Sequence, residues 1–190
     1  MRRFIFNLVS VLFSAVKFGI MKLFHFHHFF YSGVQRFSPN TEVVIAEGGT
    51  IRLGRHVRAH RRSKLLAMEV GTLEIGSNTA LGNGVSVNCM ESIVIGEGVQ
   101  IGPDTKIYDH DHDYRVPGGI GAGKFVTAPV TIGDNSWIGC NVVILRGTSI
   151  GKNCIVGAGS VLKGTYPDNS VIVQKRQTTA TVYPLERTEK

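Results

Sequence analysis

A six-residue repeat of aliphatic side chains in residues 129–163 constrains the fold of this chain more than any other feature. The repeated positions are Ile132, Ile138, Ile144, Ile150, Val156 and Leu162, and glycine follows four of these six. A period of six matches neither an α-helix, at about 3.6 residues per turn, nor the alternation of an isolated strand. It is typical of a solenoid in which each hexapeptide forms one flat face of a coil.

The repeat extends upstream and is interrupted once. The same step from an aliphatic residue to glycine recurs between Leu53 and Ile107, with a slip of two residues at 89–92. The period then stops after Ile107 and resumes at Pro129. A solenoid that resumes in register has to extrude the residues in between, and loops on rigid scaffolds often carry function. We therefore expect a helix and connector over 1–38, a solenoid over 39–173 with a loop at about 113–128, and a polar tail over 174–190.

Residues 1–30 predict an amphipathic helix whose circumference is mostly apolar. The polar positions recur at helical spacing on one narrow face: Asn7, Ser10, Ser14 and Lys17. The broad apolar face contains Phe4, Ile5, Leu8, Val9, Leu12, Phe13, Val16 and Ile20. We expect this helix to bind a membrane interface, since Lys17 disfavours a full span. Docking onto the protein's own body or a partner chain, and a signal peptide or true span, are the alternatives.

The excess positive charge lies entirely in the first third of the chain. Residues 1–64 contain eleven Lys or Arg and two acids, whereas the remainder contains ten and twelve. Four arginines spaced by three form a basic belt: Arg52, Arg55, Arg58 and Arg61. The belt is either a solvated surface or a site for a phosphate-rich partner, because guanidinium groups pair well with phosphate. Nucleic acid is not expected without interleaved aromatic residues; anionic lipid or a lipid-linked diphosphate sugar fits better beside the apolar helix.

The cysteines and the acidic histidine-rich segment have simple interpretations. Cys89, Cys140 and Cys154 fall inside the repeats, so we expect free thiols in a reducing compartment. The sequence DHDHD at 109–113 has the composition of a metal site, but alternation along a strand would separate its aspartates from its histidines. We expect no metal cofactor.

The hexapeptides from Val43 to Val173, the N-terminal helix and the DHDH step together resemble the hexapeptide-repeat acyltransferases. Within that family the chain is most similar to galactoside and maltose O-acetyltransferases and to bacterial capsule and O-antigen polysaccharide O-acetyltransferases. The resemblance implies an all-β, left-handed parallel β-helix that works as a homotrimer and uses acetyl-CoA as the acyl donor.

The same resemblance implies which residues act on the acceptor. The family's catalytic histidine lies at the mouth of the extruded loop, which corresponds to His112, with His110 as the second choice. Histidine suits a general base because its ordinary pKa lies near neutrality, and Asp109 or Asp111 would orient its ring. Asn88 matches an asparagine that helps to hold the acceptor, although an asparagine at a coil corner can be structural. No serine or cysteine nucleophile with an adjacent base is apparent, which favours direct transfer.

Donor binding is implied for three groups of residues. Trp137 matches an aromatic residue that lines the cleft, and Cys140 matches the position whose backbone N–H binds the thioester oxygen. The small residues under the pantetheine arm correspond to Gly139, Ala158, Gly159 and Ser160. The basic residues near the nucleotide correspond to Lys163, Lys175 and Arg176, where the sequence departs from the family pattern.

Taken together, the sequence predicts an acetyl-CoA-dependent O-acetyltransferase that modifies a sugar hydroxyl of a surface polysaccharide or its precursor. We expect it in the cytoplasm, peripheral to the inner face of the cell membrane through the helix and the basic belt. The alternatives are an N-acetyltransferase of an amino sugar and a non-catalytic, trimeric, membrane-associated β-helix scaffold.

Overall fold

The computed structural model describes residues 2–175 and residue 179. The chain begins with one helix, α1 (Arg2–Phe24), and then winds into a parallel β-solenoid. The first four coils contain β1 (Phe29–Tyr31), β2 (Arg36–Phe37), β3 (Glu42–Ile45), β4 (Thr50–Leu53), β5 (Arg58–Ala59), β6 (Lys64–Ala67), β7 (Thr72–Ile75), β8 (Ala80–Leu81), β9 (Ser86–Cys89), β10 (Ser92–Ile95), β11 (Gln100–Ile101) and β12 (Lys106–Tyr108). A hairpin of β13 (His110–His112) and β14 (Phe125–Thr127) follows. The later coils contain β15 (Val130–Ile132), β16 (Trp137–Ile138), β17 (Val143–Ile144), β18 (Ser149–Ile150), β19 (Ile155–Val156), β20 (Val161–Leu162), β21 (Thr165–Tyr166) and β22 (Val171–Ile172).

The solenoid has three parallel sheets, so each coil is triangular in section. Sheet 1 has the order β1-β4-β7-β10-β15-β18-β21, sheet 2 the order β2-β5-β8-β11-β16-β19-β22, and sheet 3 the order β3-β6-β9-β12-β17-β20. Residues at equivalent positions stack in columns, as Ala59, Leu81 and Ile101 do in sheet 2. The repeated aliphatic residues point inward and are buried, for example Ile138 and Ile144 at 0% exposure. The predicted all-β solenoid is therefore confirmed.

The coils shorten along the chain, which explains why the repeat is clear only downstream. Ile51 pairs with Leu73, 22 residues later, and Leu73 pairs with Ile93 after 20, whereas Thr131 pairs with Ser149 after 18. Four-residue strands in sheets 1 and 3 account for the longer early coils. The first coil also begins before the expected residue 39, because its inward residues are Phe29 and Phe37 rather than aliphatic residues followed by glycine.

The glycine after each inward residue is explained by the close stacking of coils. A Cβ on Gly76 would lie 2.5 Å from the backbone N of Glu97 in the next coil, and one on Gly133 would lie 2.5 Å from the carbonyl C of Gly151. Real Cβ atoms do not approach backbone so closely, because overpacking of this kind forces the backbone to shift. Glycine is therefore required at these corners so that successive coils can stack closely.

The interruption of the repeat is a hairpin at the corner between sheets 3 and 1. β13 and β14 pair antiparallel, with His110 opposite Thr127 and His112 opposite Phe125. The Ala128 N–H donates to the Asp109 carbonyl at 2.8 Å and closes the base of the hairpin. One turn of 3₁₀ helix, Gly119–Ala122, lies in its tip. The extruded segment thus begins at His110, slightly before the expected loop.

The helix α1 docks onto the first coil through its polar face. Phe37 donates its N–H to the Ser14 hydroxyl at 2.7 Å, and Lys17 Nζ donates to the Thr41 carbonyl at 2.8 Å. Phe18 is fully buried, with its ring centroid 5.1 Å from that of Phe29 and 4.9 Å from that of Phe37. Polar bonds and one aromatic anchor therefore fix the helix to the end of the solenoid.

The opposite face of α1 is apolar and exposed, and we call it the apolar ridge. Its members are at least 46% exposed: Phe4, Ile5, Leu8, Val9, Leu12, Val16, Ile20, Leu23 and Phe24. Residues 4–24 are long and apolar enough to cross a membrane by length and composition, with a mean hydropathy of 1.9, and only 17% of that window is buried. An exposed apolar surface of this size is typical of a protein or membrane interaction site.

We predict that Phe18→Ala releases α1 and lowers the free energy of unfolding by about 3–5 kcal/mol, because truncation removes a buried aromatic anchor. Urea unfolding measures the change. Leu23→Ala is the matched control, since Leu23 lies on the same helix but is 74% exposed, and we expect its effect to stay within about 0.5 kcal/mol. Equal losses in the two variants would show that Phe18 does not anchor the helix.

Candidate active site

A buried carboxylate organises the corner from which the hairpin leaves the solenoid. Asp109 is 0% exposed, and its oxygens accept the backbone N–H groups of Met90, Glu91 and Ser92 at 2.8–3.1 Å. Asp109 Oδ1 also lies 2.9 Å from Nδ1 of His110. Charge-assisted hydrogen bonds of this kind are stronger than neutral ones, so the carboxylate holds both the coil below and the histidine beside it.

Asp109 is ionised in this position and fixes the tautomer of His110. Burial alone would raise the pKa of Asp109, but the hydrogen bonds from His110 and from the Glu91 and Met90 N–H groups outweigh it, and the pKa is lowered. Because an ionised carboxylate only accepts hydrogen bonds, Nδ1 of His110 carries the proton. In the neutral imidazole, Nε2 then carries the lone pair that a general base requires.

A buried thiol completes the surroundings of Asp109. Cys89 is 0% exposed, and burial together with the negative charge of Asp109 raises the pKa of its thiol. The thiol is therefore protonated and donates to the carboxylate, which excludes it as a nucleophile.

Aromatic rings flank His110 on two sides. The Tyr108 and Phe125 rings both meet it edge-on, with centroids 6.0 and 5.6 Å away at interplanar angles of 89° and 84°. His112 lies two residue pairs further along the hairpin and is exposed, with its ring centroid 4.6 Å from that of Phe125. Within residues 2–175 no carboxylate pairs with the His112 ring. Of the two predicted bases, the structure gives an orienting partner to His110.

An ion pair ties the hairpin to a later coil. Arg146 Nε donates to Asp111 Oδ2 at 2.6 Å, across the corner where Gly147 also donates its N–H to the Ala128 carbonyl at 3.1 Å. Asp111, predicted as a possible partner of the histidine, therefore binds arginine instead. The pairing restrains the strand that carries both histidines.

Asn88 lies on the outer face of sheet 3, next to the histidine corner. It is opposite Tyr108 in the β9–β12 ladder, and its Nδ2 donates to the Ser86 hydroxyl at 3.0 Å. Its side chain is half-buried and bonds no corner backbone in the described structure. Contact between Asn88 and an acceptor stays a prediction.

The predicted donor residues gather at a different corner, between sheets 2 and 3. Trp137 projects from sheet 2 and is 57% exposed, while Cys140 is exposed at the corner itself. The Cys140 carbonyl accepts the Gly159 N–H at 2.8 Å, which brings Ala158, also exposed, alongside in the next coil. These residues form a continuous exposed strip.

Two of the small residues at that corner serve the fold. A Cβ on Gly139 would lie 2.7 Å from the Ala158 backbone N, so glycine is required there by coil stacking. Ser160 is 1% exposed and donates its hydroxyl to the Gly157 carbonyl at 2.7 Å. Their small size is therefore no independent sign of a ligand, and the Ser160 hydroxyl points into the protein.

The predicted basic contacts lie at the far end of the solenoid. Lys163 is exposed after β20, and Lys175 is exposed at the last continuously described position. Gln174 bonds the Val161 backbone through both side-chain atoms, at 2.9 and 2.6 Å, and so holds Lys175 near the last coils. Arg176 lies outside the described residues.

Within one chain, the residues predicted to act on the acceptor lie apart from the residues predicted to bind the donor. His110 and Asn88 lie at the end of sheet 3 that leads into sheet 1, whereas Trp137, Cys140 and Ala158 lie on the side of sheet 2. The width of sheet 3 separates them. No group of three or more His, Cys, Asp or Glu side chains suited to a metal occurs within residues 2–175.

The sequence named Asp109 as one of two aspartates that could orient the histidine, but it did not show what holds Asp109 itself in place. The slip of two residues at 89–92 marks the corner whose N–H groups converge on Asp109, so the sequence contained a sign of this contact. The alternation argument separated Asp109 from His110, but it does not apply, because β12 ends at Tyr108 and the aspartate stands in the turn before β13. No sequence pattern pointed to Arg146 or Phe125.

Known proteins share both the repeat and the fold. The family profile described as "Bacterial transferase hexapeptide (six repeats)" matches residues 129–164. The chain is 30% identical over 138 residues to the "Putative lipopolysaccharide biosynthesis O-acetyl transferase WbbJ" of Escherichia coli, covering 67% of this chain and 69% of that protein. It is 32% identical over 144 residues to a "Probable acetyltransferase" of Mycobacterium tuberculosis, covering 66% of this chain but only 47% of that protein.

Solved structures show the same architecture. A mutant of AntD, an N-acyltransferase from Bacillus cereus in complex with dTDP-4-amino-4,6-dideoxyglucose and Coenzyme A, superposes with a TM-score of 0.66. The match covers 83% of this chain and 84% of that chain at 21% sequence identity. At this identity the likeness concerns the fold.

We predict that Asp109→Ala lowers the free energy of unfolding by about 2–4 kcal/mol at neutral pH, because it leaves buried N–H groups without an acceptor. The pKa of Asp109 lies below its ordinary 3.8 in the folded state, so its contribution is complete above that value and disappears as the pH falls through the folded pKa. Urea unfolding at neutral pH and in acid steps below 3.8 should show the wild type and the variant converging.

Asp111→Asn is the matched control, since it removes a carboxylate two residues away whose side chain is 49% exposed. We expect it to change the free energy of unfolding by less than about 1 kcal/mol. A constant difference between wild type and Asp109→Ala at every pH would contradict an ionised, stabilising Asp109.

Proposed function

The chain belongs to the hexapeptide-repeat transferases, and from that membership we propose that it is an acetyltransferase that moves the acetyl group of acetyl-CoA onto a saccharide hydroxyl. The two relatives compared above are described as acetyltransferases, one of them as a putative O-acetyl transferase of lipopolysaccharide biosynthesis. The observation that carries the proposal is the pairing of His110 with the buried Asp109 at the base of the hairpin, 2.9 Å apart.

His110 acts as the general base in this proposal, in place of His112. Its Nε2 takes the proton of the acceptor hydroxyl while the oxygen attacks the thioester carbonyl carbon. The tetrahedral intermediate collapses with cleavage of the C–S bond, and the imidazolium returns its proton to the departing thiolate of coenzyme A. Asp109 stabilises the imidazolium and holds its ring in position, as the carboxylate of a catalytic triad does.

The other half of the site comes from a neighbouring copy of the chain. Trp137, Cys140 and Ala158 form an exposed strip at a corner that their own His110 does not face. In a closed ring of three subunits, every heterologous contact places one corner of a coil against a different corner of the next subunit. We therefore propose a homotrimer with acetyl-CoA lying between the histidine side of one subunit and this strip of another.

The acceptor is a surface polysaccharide, of the capsule or O-antigen type, or its precursor, and the reaction takes place at the cytoplasmic face of the membrane. The apolar ridge of α1 and the basic first third of the chain support a position next to a membrane. N-acetylation of an amino sugar is the second candidate, because a structural neighbour was solved with an amino sugar nucleotide. An acceptor series in which amine replaces hydroxyl separates the two reactions.

We predict that His110→Ala lowers kcat for acetyl transfer by about 10²- to 10⁴-fold, the usual contribution of a general base. His112→Ala is the matched control, since it removes the neighbouring imidazole of the same hairpin, and we expect a change below about fivefold. Thiol release from acetyl-CoA with a panel of sugars measures both. A large loss in His112→Ala with an active His110→Ala would reassign the base, and a protein that acetylates no saccharide or amine would remove the enzyme proposal.

We predict that two inactive variants restore activity when mixed in one trimer. His110→Ala removes the base, and Ala158→Arg blocks the proposed donor strip, so random assembly at equal amounts leaves about a quarter of the interfaces with both halves intact. Co-expression followed by the acetyl-transfer assay measures this. Co-expression of His110→Ala with Asp109→Ala, which damage the same half, should restore nothing; an absence of recovery in the first pair would place both halves in one chain.

A further inference from the structure

A cavity between α1 and sheet 2 has the lining of an anion site. Its volume is about 320 Å³. The polar residues that line it are Asn7, Ser10, Arg36, Ser38, His60, Arg61 and Asn83. None of the described residues that line it is acidic. We call this cavity the α1 cleft.

Two hydroxyl groups in the α1 cleft lack a partner in the described structure. Ser10 and Ser38 are 1% and 2% exposed, and their Oγ atoms make no hydrogen bond within residues 2–175. Leaving a buried hydroxyl unpaired costs about 1–3 kcal/mol. One of these hydroxyl groups comes from α1 and the other from the residue after β2, and both line the same cavity. A ligand that accepts hydrogen bonds would satisfy both of them.

The α1 cleft is also strongly electropositive. Arg36 lines the cleft and is in register with Arg58 in the parallel β2–β5 ladder, so a second positive charge lies close to the lining. Burial, followed by these two arginines, lowers the pKa of His60. Arg61 is held at the entrance, with its guanidinium 4.9 Å from the Phe6 ring of α1. A phosphate group would neutralise this field, and arginine and hydroxyl donors are well suited to phosphate oxygens.

The position of the α1 cleft matches the depth of lipid phosphates. The apolar ridge and the cleft lie on opposite sides of α1, because Leu8 and Leu12 are exposed whereas Ser10 faces the solenoid. A helix is about 10 Å across, and interfacial helices sink their apolar face about 5–10 Å into the boundary between headgroups and acyl chains. With the ridge in the membrane interface, the cleft lies at the level of the phosphates.

We propose that the N-terminal end of the protein is a lipid-phosphate site, in which the apolar ridge of α1 enters the membrane interface and the α1 cleft binds the terminal phosphate of a lipid. Because Phe18, Ser14 and Lys17 remain bound to the solenoid, α1 lies along the membrane and does not cross it. The site is independent of the acetyl-transfer reaction, so its failure and that of the proposed function are separable.

A lipid is the occupant that fits both the apolar ridge and the α1 cleft. A second copy of the chain would bring another positively charged N-terminal region against the first, since residues 1–64 contain eleven basic and two acidic residues. A soluble phosphate compound would fill the cleft and leave the ridge exposed to water. Only an amphiphile with an anionic head satisfies the charge and the apolar surface together.

The test is co-sedimentation of the full chain with vesicles. Phosphatidylcholine vesicles are compared with vesicles that also contain phosphatidic acid or phosphatidylglycerol, the last two at matched surface potential. We expect binding to both anionic membranes and about tenfold tighter binding to phosphatidic acid, whose phosphate is terminal, as charge-assisted hydrogen bonds to arginine predict. Equal binding to phosphatidic acid and phosphatidylglycerol would overturn a phosphate-selective cleft.

Adjacent arginines provide matched variants. Arg61→Gln removes a charge that lines the cleft, whereas Arg62→Gln removes the same charge from the next residue, which is exposed and does not line it. We expect Arg61→Gln to abolish the preference for phosphatidic acid and Arg62→Gln to preserve it. Equal effects would show that only the overall charge attracts the membrane.

Ser38→Ala tests the unpaired hydroxyl without unfolding the protein. We expect its thermal midpoint to be unchanged or higher, because no protein hydrogen bond is lost, while its affinity for phosphatidic acid falls about fivefold. An unaltered affinity would remove the hydroxyl from the site.

Leu12→Asp tests the apolar ridge, with Val171→Asp as the control at the other end of the solenoid, where Val171 is 70% exposed. We expect only Leu12→Asp to abolish sedimentation with every vesicle. Three results would overturn the proposal: retained vesicle binding in Leu12→Asp, a change of oligomeric state caused by it, or tight binding of inorganic pyrophosphate without any vesicle binding.

Discussion

The hydrogen bonds of the buried Asp109 carboxylate are the interactions on which the candidate active site depends. A solenoid that interrupts its winding leaves backbone N–H groups at the break without the partners that continuous coils supply. Here the Met90, Glu91 and Ser92 N–H groups turn toward Asp109, which belongs to the coil above. The same carboxylate then holds His110 at 2.9 Å. The same carboxylate therefore closes the break and orients the proposed base, so we expect this corner to tolerate substitution poorly.

The N-terminal helix reverses the usual relation between amphipathic pattern and burial. Surface helices normally bury their apolar face against the protein. In α1 the narrow polar face is docked and the broad apolar face is exposed, with Phe18 as the one fully buried aromatic residue of the helix. The arrangement is stable because the first coil offers backbone partners, such as the Phe37 N–H and the Thr41 carbonyl, to Ser14 and Lys17. The protein thus presents a hydrophobic surface without sacrificing the attachment of the helix.

The sequence was informative where structure repeats and uninformative where it does not. The six-residue period predicted the sheets and the inward residues, since every coil meets the same packing constraint, and its interruption predicted the hairpin. It did not distinguish His110 from His112, because that choice depends on which imidazole reaches Asp109 across a turn. The outward face of α1 was visible in the sequence, but its docking through Ser14 was not, because the partner atoms are main-chain groups. Arg176 lies outside the described residues, and its role stays a prediction.

The docked helix also has a consequence for self-association. The strands β1, β2 and β3 are the first members of their sheets and would offer one open edge to a further coil. Parallel coils stack without limit in principle, so an open end of this kind is a template for fibre growth from other molecules. Because α1 packs on β1 and β2, it terminates the stack. The helix that exposes the apolar ridge therefore also covers this end of the solenoid.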